Sequence, residues 1–97
     1  MSDQRYNGWE NKPTWLVNLW LENDESLYHY WLEAAREEAD AYKLAKRLQD
    51  EIEDSNPLLD SADLYSDLIG WAIAHVNWDE VAKSWLAQVE EEQEASE

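Results

Sequence analysis

The chain has 97 residues, and 23 Asp and Glu against 7 Lys and Arg leave a formal net charge of −16 at pH 7. This length suits one domain with a single core. The absence of cysteine excludes disulfides, zinc–thiolate sites and thiol nucleophiles, and it fits a reducing, cytoplasmic compartment. The first twenty residues do not resemble a signal peptide, and no apolar run approaches the roughly 20 residues of a membrane span, so we expect neither secretion nor membrane insertion.

The negative charge is unevenly distributed. Residues 1–20 balance at zero, residues 21–54 sum to −7 and residues 55–97 sum to −9. So much like charge opposes compaction unless the chain buries enough apolar surface. Seven Trp and five Tyr supply that surface, since a large aromatic side chain contributes about 4–6 kcal/mol of burial free energy as an upper bound. The aromatic residues therefore allow this charged chain to fold.

The first predicted helix follows a turn at residues 6–9, YNGW. Asn11 is a suitable cap, and Pro13 falls in the first turn, so the helix should span about residues 12–23. Residues 15–21, WLVNLWL, are apolar nearly all round, which predicts a central helix. A buried strand also suits this segment, although the chain offers no second strand to pair with it.

A heptad stripe follows. Asn23 or Asp24 can cap a helix over residues 25–54, and the segment EEAD at residues 37–40 can divide it into two. Asn56 before Pro57 ends it, because proline disfavours the helical conformation of the preceding residue. Spacings of four and three predict one apolar face, formed by Leu27, Trp31, Ala34, Glu38, Ala41, Ala45, Leu48 and Ile52.

Two further helices are predicted. Asp60 or Ser61 should cap one, with an inner face of Leu64, Tyr65, Leu68, Ile69, Ala72, Ile73 and Val76. Asn77 and Glu80 predict a capping box for the other, with Trp78, Val81, Ala82, Trp85, Leu86 and Val89 inward. We therefore expect an all-α fold, a compact single-domain bundle of three to five helices over residues 1–89. Residues 90–97 should form a frayed acidic tail.

The sequence predicts neither catalysis nor a bound cofactor or metal. His29 and His75 stand alone, and the two glycines form no phosphate-binding loop. Asp60, Asp63 and Asp67 resemble a weak cation site, but the helix macrodipole already explains acids at a helix start. Direct nucleic-acid binding is disfavoured because the negative surface repels phosphates.

The same charge favours phosphate mimicry. Helical neighbours at i, i+3 and i+4 lie about 5–6 Å apart, comparable with the phosphate spacing along a strand. Such a surface is attracted to a protein with a basic, nucleic-acid-binding groove. The candidate partner-binding residues are Glu33, Glu37, Asp40, Asp50, Glu51, Glu53, Asp54, Asp60, Asp63, Asp67, Asp79 and Glu80.

Two other interpretations remain open. The acidic surface can serve solubility alone or adaptation to high salt. Alternatively, the chain is a small structural or assembly module that pairs through the stripe at residues 27–52, for example as a homodimer.

Several short segments are shared with a known group of proteins: YNGWEN at residues 6–11, TW at 14–15, NLW at 18–20, NPL at 56–58 and VNW at 76–78. With these segments the chain resembles a family of small acidic proteins of unknown function carried by phages, prophages and plasmids. The resemblance implies a host-cytoplasmic setting, in which some small acidic proteins inhibit restriction or CRISPR effectors.

These shared residues have a structural and a functional interpretation. Tyr6, Trp9, Trp15 and Trp20 can form a hook over the bundle, with Asn7, Asn11 and Asn18 satisfying backbone groups. They can equally form an exposed patch for a partner. The neutral charge and apolar content of the segment favour the structural interpretation.

Overall fold

The computed structural model describes residues 6–58 and 60–95. This part of the chain forms five helices and no strand. The helices are α1 (Lys12–Asn23), α2 (Glu25–Glu38), α3 (Ala41–Asp54), α4 (Leu64–Ala74) and α5 (Trp78–Ala95). The predicted all-α fold is therefore confirmed. None of the five helices is both long enough and apolar enough to cross a membrane.

Side-chain caps begin the first helices where the sequence predicts them. Asn11 Oδ1 accepts a hydrogen bond from the backbone N–H of Thr14 at 3.0 Å, and Pro13 lies in the first turn. Asp24 caps α2 in the same way. The cap predicted for α4 at Asp60 or Ser61 is wrong, because Asp63 and Ser66 form a reciprocal capping box there. The box satisfies two backbone donors at once, so it determines the first residue of the helix.

The segment at residues 25–54 forms two helices. Ala39 has φ 54° and ψ 14°, a left-handed conformation that ends α2, and Asp40 then caps α3. The heptad stripe consequently folds back on itself. Trp31, Ala34 and Leu48 are buried in the chain's own core, so the stripe is not an open surface for pairing.

The core lies where α5 packs against α2 and α3. Trp85 is fully buried near its centre and contacts the ring of Tyr28, with 5.5 Å between centroids. On α5, the apolar residues Trp78, Val81, Trp85 and Val89 recur at the spacing of one helical face, which explains why this helix is central. The buried core residues are Leu21, Trp31, Leu32, Ala34, Ala35, Leu44, Leu48, Val76, Trp78, Val81, Ala82, Trp85 and Val89.

α1 is not the central helix that its composition predicts. It packs against α2 and α5 through one stripe, in which Thr14, Asn18 and Leu21 are buried. The other side faces outward, and Trp20 is 67% exposed. The prediction that Trp20 closes the hook is therefore wrong, whereas Tyr6 does meet Trp15 edge to face at 5.0 Å.

The predicted inner face of α4 is also wrong in part. Leu64, Tyr65 and Leu68 are exposed, and no residue of α4 is buried. Ile69 and Ile73 are half-buried, because only this edge of the helix faces the bundle.

The C-terminal end of α4 is fastened by the N-terminal segment. Asn11 Nδ2 donates to the carbonyl of His75 at 2.7 Å, and the backbone N–H of Asn77 donates to Thr14 Oγ1 at 2.9 Å. Asn77 Nδ2 also donates to Glu10 at 2.6 Å. These contacts, which we term the N-terminal latch, give several of the shared residues a structural role. They also position α4 relative to α5.

α5 continues through Ala95, so residues 90–95 of the predicted tail are helical. Glu92 pairs with Arg36 of α2. Residues 1–5 of the predicted domain and residues 96–97 of the predicted tail lie outside the described residues.

Candidate binding surface

Five of the twelve predicted partner-binding carboxylates form ion pairs within the chain. Glu37 and Glu51 each lie 3.0 Å from Arg47. The other three are Glu33, paired with Arg36, Asp50, paired with Lys46, and Asp79, paired with Lys83. Pairing lowers the net charge that these carboxylates present to a partner.

Four more of these carboxyl groups accept hydrogen bonds that support the fold. Asp40 and Asp63 are helix caps. Glu53 accepts from Gln49 at 3.2 Å, and Glu80 accepts from the backbone N–H of Glu10 at 2.9 Å. These roles within the fold are sufficient to explain why acidic residues occupy these four positions.

The remaining three predicted residues are Asp54, Asp60 and Asp67. All three are exposed, and their carboxylates have no ion pair or hydrogen bond with any described residue. They lie at the end of α3, in the following loop and in the first turn of α4. Among the twelve predicted residues, the outward carboxylates without a partner therefore lie in the region from the end of α3 to the first turn of α4.

Arg47 is the centre of the largest charged network. Its Nη1 lies 3.0 Å from Glu37 and 3.1 Å from Glu38, and its Nη2 donates to Tyr30 Oη at 3.1 Å. The hydrogen bond with Tyr30, followed by those with the carboxylates, raises the pKa of Arg47 above its ordinary value. Hydrogen bonds with Glu92 and Glu33 likewise raise the pKa of Arg36. Both cations are thus used to join parts of the chain.

The sequence contains no Lys or Arg between Arg47 and Lys83. Within this interval lie nine acids: Asp50, Glu51, Glu53, Asp54, Asp60, Asp63, Asp67, Asp79 and Glu80. α4 and its flanking loops belong entirely to this interval, so no basic side chain from them offsets their charge.

α4 is apolar and exposed at the same time. Leu64, Leu68 and Trp71 follow one another at i, i+4 and i+7, and Tyr65 is a helical neighbour of Leu68. These four side chains, the α4 face, are 56–66% exposed. A helix that is apolar nearly all round is ordinarily buried. Its exposure here marks a surface that is suited to contact with another molecule.

Beside this face, a groove of about 420 Å³ runs between α4 and the rest of the bundle. We term it the α4 groove. Its lining is Leu21, Leu27, Tyr30, Trp31, Glu51, Ile52, Ser55, Asn56, Pro57, Ile69 and Ile73. Tyr65 and Ile69 are i, i+4 neighbours, so the α4 face continues into the groove. A smaller hollow of about 220 Å³ adjoins it, sharing Asn56 and Ile73 and adding Glu53.

The end of α3 beside the groove carries uncompensated negative charge. The carbonyl end of a helix is itself negative and is stabilised by a nearby cation. The last turn of α3 instead holds Glu51, Glu53 and Asp54 and no basic residue. Glu51 is paired with Arg47 of the preceding turn, whereas Glu53 and Asp54 have no ion pair among the described residues. This arrangement attracts a positive group from outside the chain.

Neither His75 nor the acidic cluster at the start of α4 has the geometry of a metal site. His75 Nδ1 lies 2.8 Å from the carbonyl of Trp71, and the two rings are 4.3 Å apart. Among the described residues, no three His, Asp or Glu side chains lie where they can hold a metal ion. The arrangement of side chains suits binding through apolar and charged contacts.

The predictions from sequence do not include the α4 face or its groove. One signal was available: α1 and α4 are both apolar nearly all round, and a domain of this size has a single core. Both helices cannot be surrounded on all sides, so exposed apolar surface was to be expected on at least one.

Comparison with curated proteins and with solved structures finds no match to the chain. A family model, described as a family of unknown function (DUF7249), matches residues 2–94. This match covers nearly the whole length and includes all five helices except the last residue of α5. The chain therefore belongs to the DUF7249 family.

Proposed function

We propose that the chain is a non-catalytic binding protein that occupies the basic, nucleic-acid-binding surface of another protein. Its outward carboxylates would take the place of phosphates. The observation that supports this most strongly is the uncompensated acidic region from the end of α3 to the start of α4. There Asp54, Asp60 and Asp67 face solvent without a partner.

Electrostatics favours a basic partner over other kinds of binding target. The chain carries −16, and Arg36 and Arg47 are already used in internal pairs. A negative surface of this kind raises the association rate with a positive one and repels nucleic acid and anionic membranes. The helical scaffold holds these charges in place, which reduces the entropy lost on binding.

The resemblance to phage, prophage and plasmid proteins suggests the biological setting. We propose that the partner belongs to a host defence complex that handles nucleic acid in the cytoplasm, as restriction and CRISPR effectors do. This step is an analogy between classes of protein.

Self-assembly is a second candidate, and the exposed α4 face is the observation that favours it. A homodimer through this face would bring two acidic α3–α4 regions together, which is electrostatically unfavourable. A heterologous basic partner has no such cost. We therefore place self-assembly second.

The test is capture from a bacterial lysate on the immobilised chain, with and without competing duplex DNA. We expect DNA to release the captured protein, and we expect capture to weaken as salt rises, because counterions screen charge over about 10 Å at 0.1 M. Capture that is indifferent to both DNA and salt would contradict the proposal.

A pair of charge-matched variants locates the interaction. Asp54→Asn with Asp60→Asn removes two outward carboxylates beside α4, whereas Glu90→Gln with Glu91→Gln removes two exposed carboxylates from α5. The first variant should lower capture by about three- to tenfold at low salt, and the second should have little effect. Equal losses would show that only the total charge matters.

A further inference from the structure

We propose that the α4 groove binds a cationic amphipathic segment of a partner protein. Apolar side chains of that segment fill the groove and cover the α4 face, and its Lys or Arg side chains lie beside the carboxylates at the end of α3. This inference rests on the proposed function, because it specifies which part of a basic partner is recognised and where.

The apolar half of the proposal comes from the shape and lining of the groove. Its volume of about 420 Å³ is within the range of pockets that accept compact apolar groups. Leu21, Leu27 and Ile52 form one side, and Ile69 and Ile73 of α4 form the other. A groove between helices that is open at the surface suits an amphipathic helix that inserts side chains at i, i+3 and i+4.

The charged half comes from the end of α3. Glu51 lines the groove and Glu53 lines the adjoining hollow. Both belong to a last helical turn without a basic residue. A Lys or Arg placed there interacts favourably with the carboxylates and with the helix dipole together. Glu51 is already paired with Arg47, but Glu53 and Asp54 have no ion pair among the described residues, and the chain has no Lys or Arg between Arg47 and Lys83. A cation for Glu53 and Asp54 would therefore come from the partner.

Charge also decides between a partner and a second copy of this chain. A second copy brings another −16 and presents the same acidic α3–α4 region. A symmetric contact through α4 therefore places like charges opposite each other, which is unfavourable. A cationic segment satisfies the apolar and the charged requirement at once.

The composition of the chain provides a direct reporter. It contains three isoleucines, Ile52, Ile69 and Ile73, and all three line the α4 groove. Labelling the isoleucine δ1 methyl groups thus produces an NMR spectrum that reports on the groove alone. The probe is a synthetic helical peptide of Lys and Leu with the leucines on one face. The control peptide has the same lysines, with Ser in place of Leu.

We expect the Lys–Leu peptide to shift all three isoleucine signals in a saturable manner, and the Lys–Ser peptide to leave them in place. Unchanged signals with the Lys–Leu peptide would overturn the proposal. Equal shifts with both peptides would also overturn it, because charge alone would then explain binding. Shifts that grow with protein concentration in the absence of peptide, together with a dimer in sedimentation, would identify a second copy as the occupant.

Variants separate the groove from other exposed aromatic surface. Leu27→Gln with Ile69→Gln alters two residues that line the groove, and Tyr42→Gln alters a 75% exposed residue on α3 outside the groove lining. The first variant should lower the affinity for the Lys–Leu peptide about tenfold or more, and the second should leave that affinity unchanged. Circular dichroism confirms that both variants fold. Equal affinity in all three proteins would contradict the proposal.

The lysate experiment distinguishes failure of this inference from failure of the proposed function. DNA-sensitive capture that survives Leu27→Gln with Ile69→Gln would overturn the groove and leave the acidic surface as the binding site. Peptide binding at the isoleucines, combined with capture that DNA does not release, would support the groove and contradict nucleic-acid mimicry.

Discussion

α4 and α5 are neighbours in the chain with opposite environments, and the more apolar of the two, α4, is the exposed one. α5 buries Trp78, Val81, Trp85 and Val89 in the core. α4 buries no residue and leaves Leu64, Tyr65, Leu68 and Trp71 more than half exposed. The difference arises from arrangement, since the apolar residues of α5 lie on one face and those of α4 surround the helix.

This contrast teaches that hydrophobicity alone does not assign a helix to the core. A one-sided helix can bury its whole apolar stripe and leave charged residues in water. A helix that is apolar on all sides needs neighbours all round, and a 97-residue chain has too few elements to supply them. α4 is consequently held by its edge and its end, through Ile69, Ile73 and the N-terminal latch.

The strongest test of the contrast is Trp85→Ala in α5. Trp85 is fully buried, so its removal leaves a large cavity and should lower the free energy of unfolding by about 3–5 kcal/mol. Urea denaturation followed by circular dichroism measures the change. A loss below about 1 kcal/mol would mean that α5 is not the centre of the core.

A second test concerns the ion pairs of Arg47, which join α2 to α3 and do not involve α4. Arg47→Met keeps the apolar stem but leaves Glu37, Glu38 and Glu51 without their shared cation, which should cost about 1–2 kcal/mol. Lys46→Met is the matched control, because its pair with Asp50 spans 3.8 Å and is mostly exposed. That variant should change stability little.

The pH dependence of the Arg47 contribution follows from the direction of its shift. Its pKa is raised in the folded state, so the stabilisation is fully present below the ordinary arginine pKa and is lost only as pH rises through the higher folded value. The stability difference between wild type and Arg47→Met should therefore stay constant from about pH 7 to about pH 9. A decline across this range would point to another titrating group.

A third test addresses the latch that holds α4 beside α5. Asn11→Ala removes the α1 cap and the bond to the carbonyl of His75, and should cost about 1 kcal/mol. Asn11→Asp keeps an acceptor for the cap but lacks the amide donor. Hydrogen exchange of α4 should accelerate in both variants, while stability of α1 should fall only in the first. Unchanged exchange in α4 would show that its own edge contacts hold it.

The smallest expected effect is that of Trp71→Ala, the α4 counterpart of Trp85→Ala. Trp71 is 58% exposed, so its loss should change the free energy of unfolding by about 0.5 kcal/mol. The same urea titration provides the measurement. A cost comparable with that of Trp85→Ala would remove the distinction between the two helices.

Local features of this fold could be predicted from sequence, and features that depend on tertiary neighbours could not. The sequence predicts Asn11 as a cap and Asp24 as one of two candidates, because the signal lies within four residues. At α4 the same kind of signal favours Asp60 or Ser61, whereas Asp63 is the cap. The side of α4 that faces the bundle has no such signal, since apolar residues surround the helix. For the same reason nothing in the sequence of α1 indicates that Thr14 and Asn18 are buried while Trp20 is exposed.

The acidic surface shows the same division. The spacing of Arg47 and Glu51 at i, i+4 predicts a pair, but the contacts of Arg47 with Glu37 and Glu38 require the turn at Ala39 that brings α2 against α3. Composition therefore overestimates how many carboxylates are available to a partner. The acids that form pairs or caps can be distinguished from Asp54, Asp60 and Asp67 only when the tertiary contacts are known.

The absence of Lys and Arg between Arg47 and Lys83 also determines how this region can be detected chemically. Trypsin cannot cut within it, so digestion releases residues 48–83 as one fragment that contains all of α4. Amine-reactive cross-linkers have no lysine to modify there and would leave a complex through α4 unlinked. Carbodiimide activation of Asp54 and Asp60 is better suited, because it would join this surface to the lysines of a basic partner.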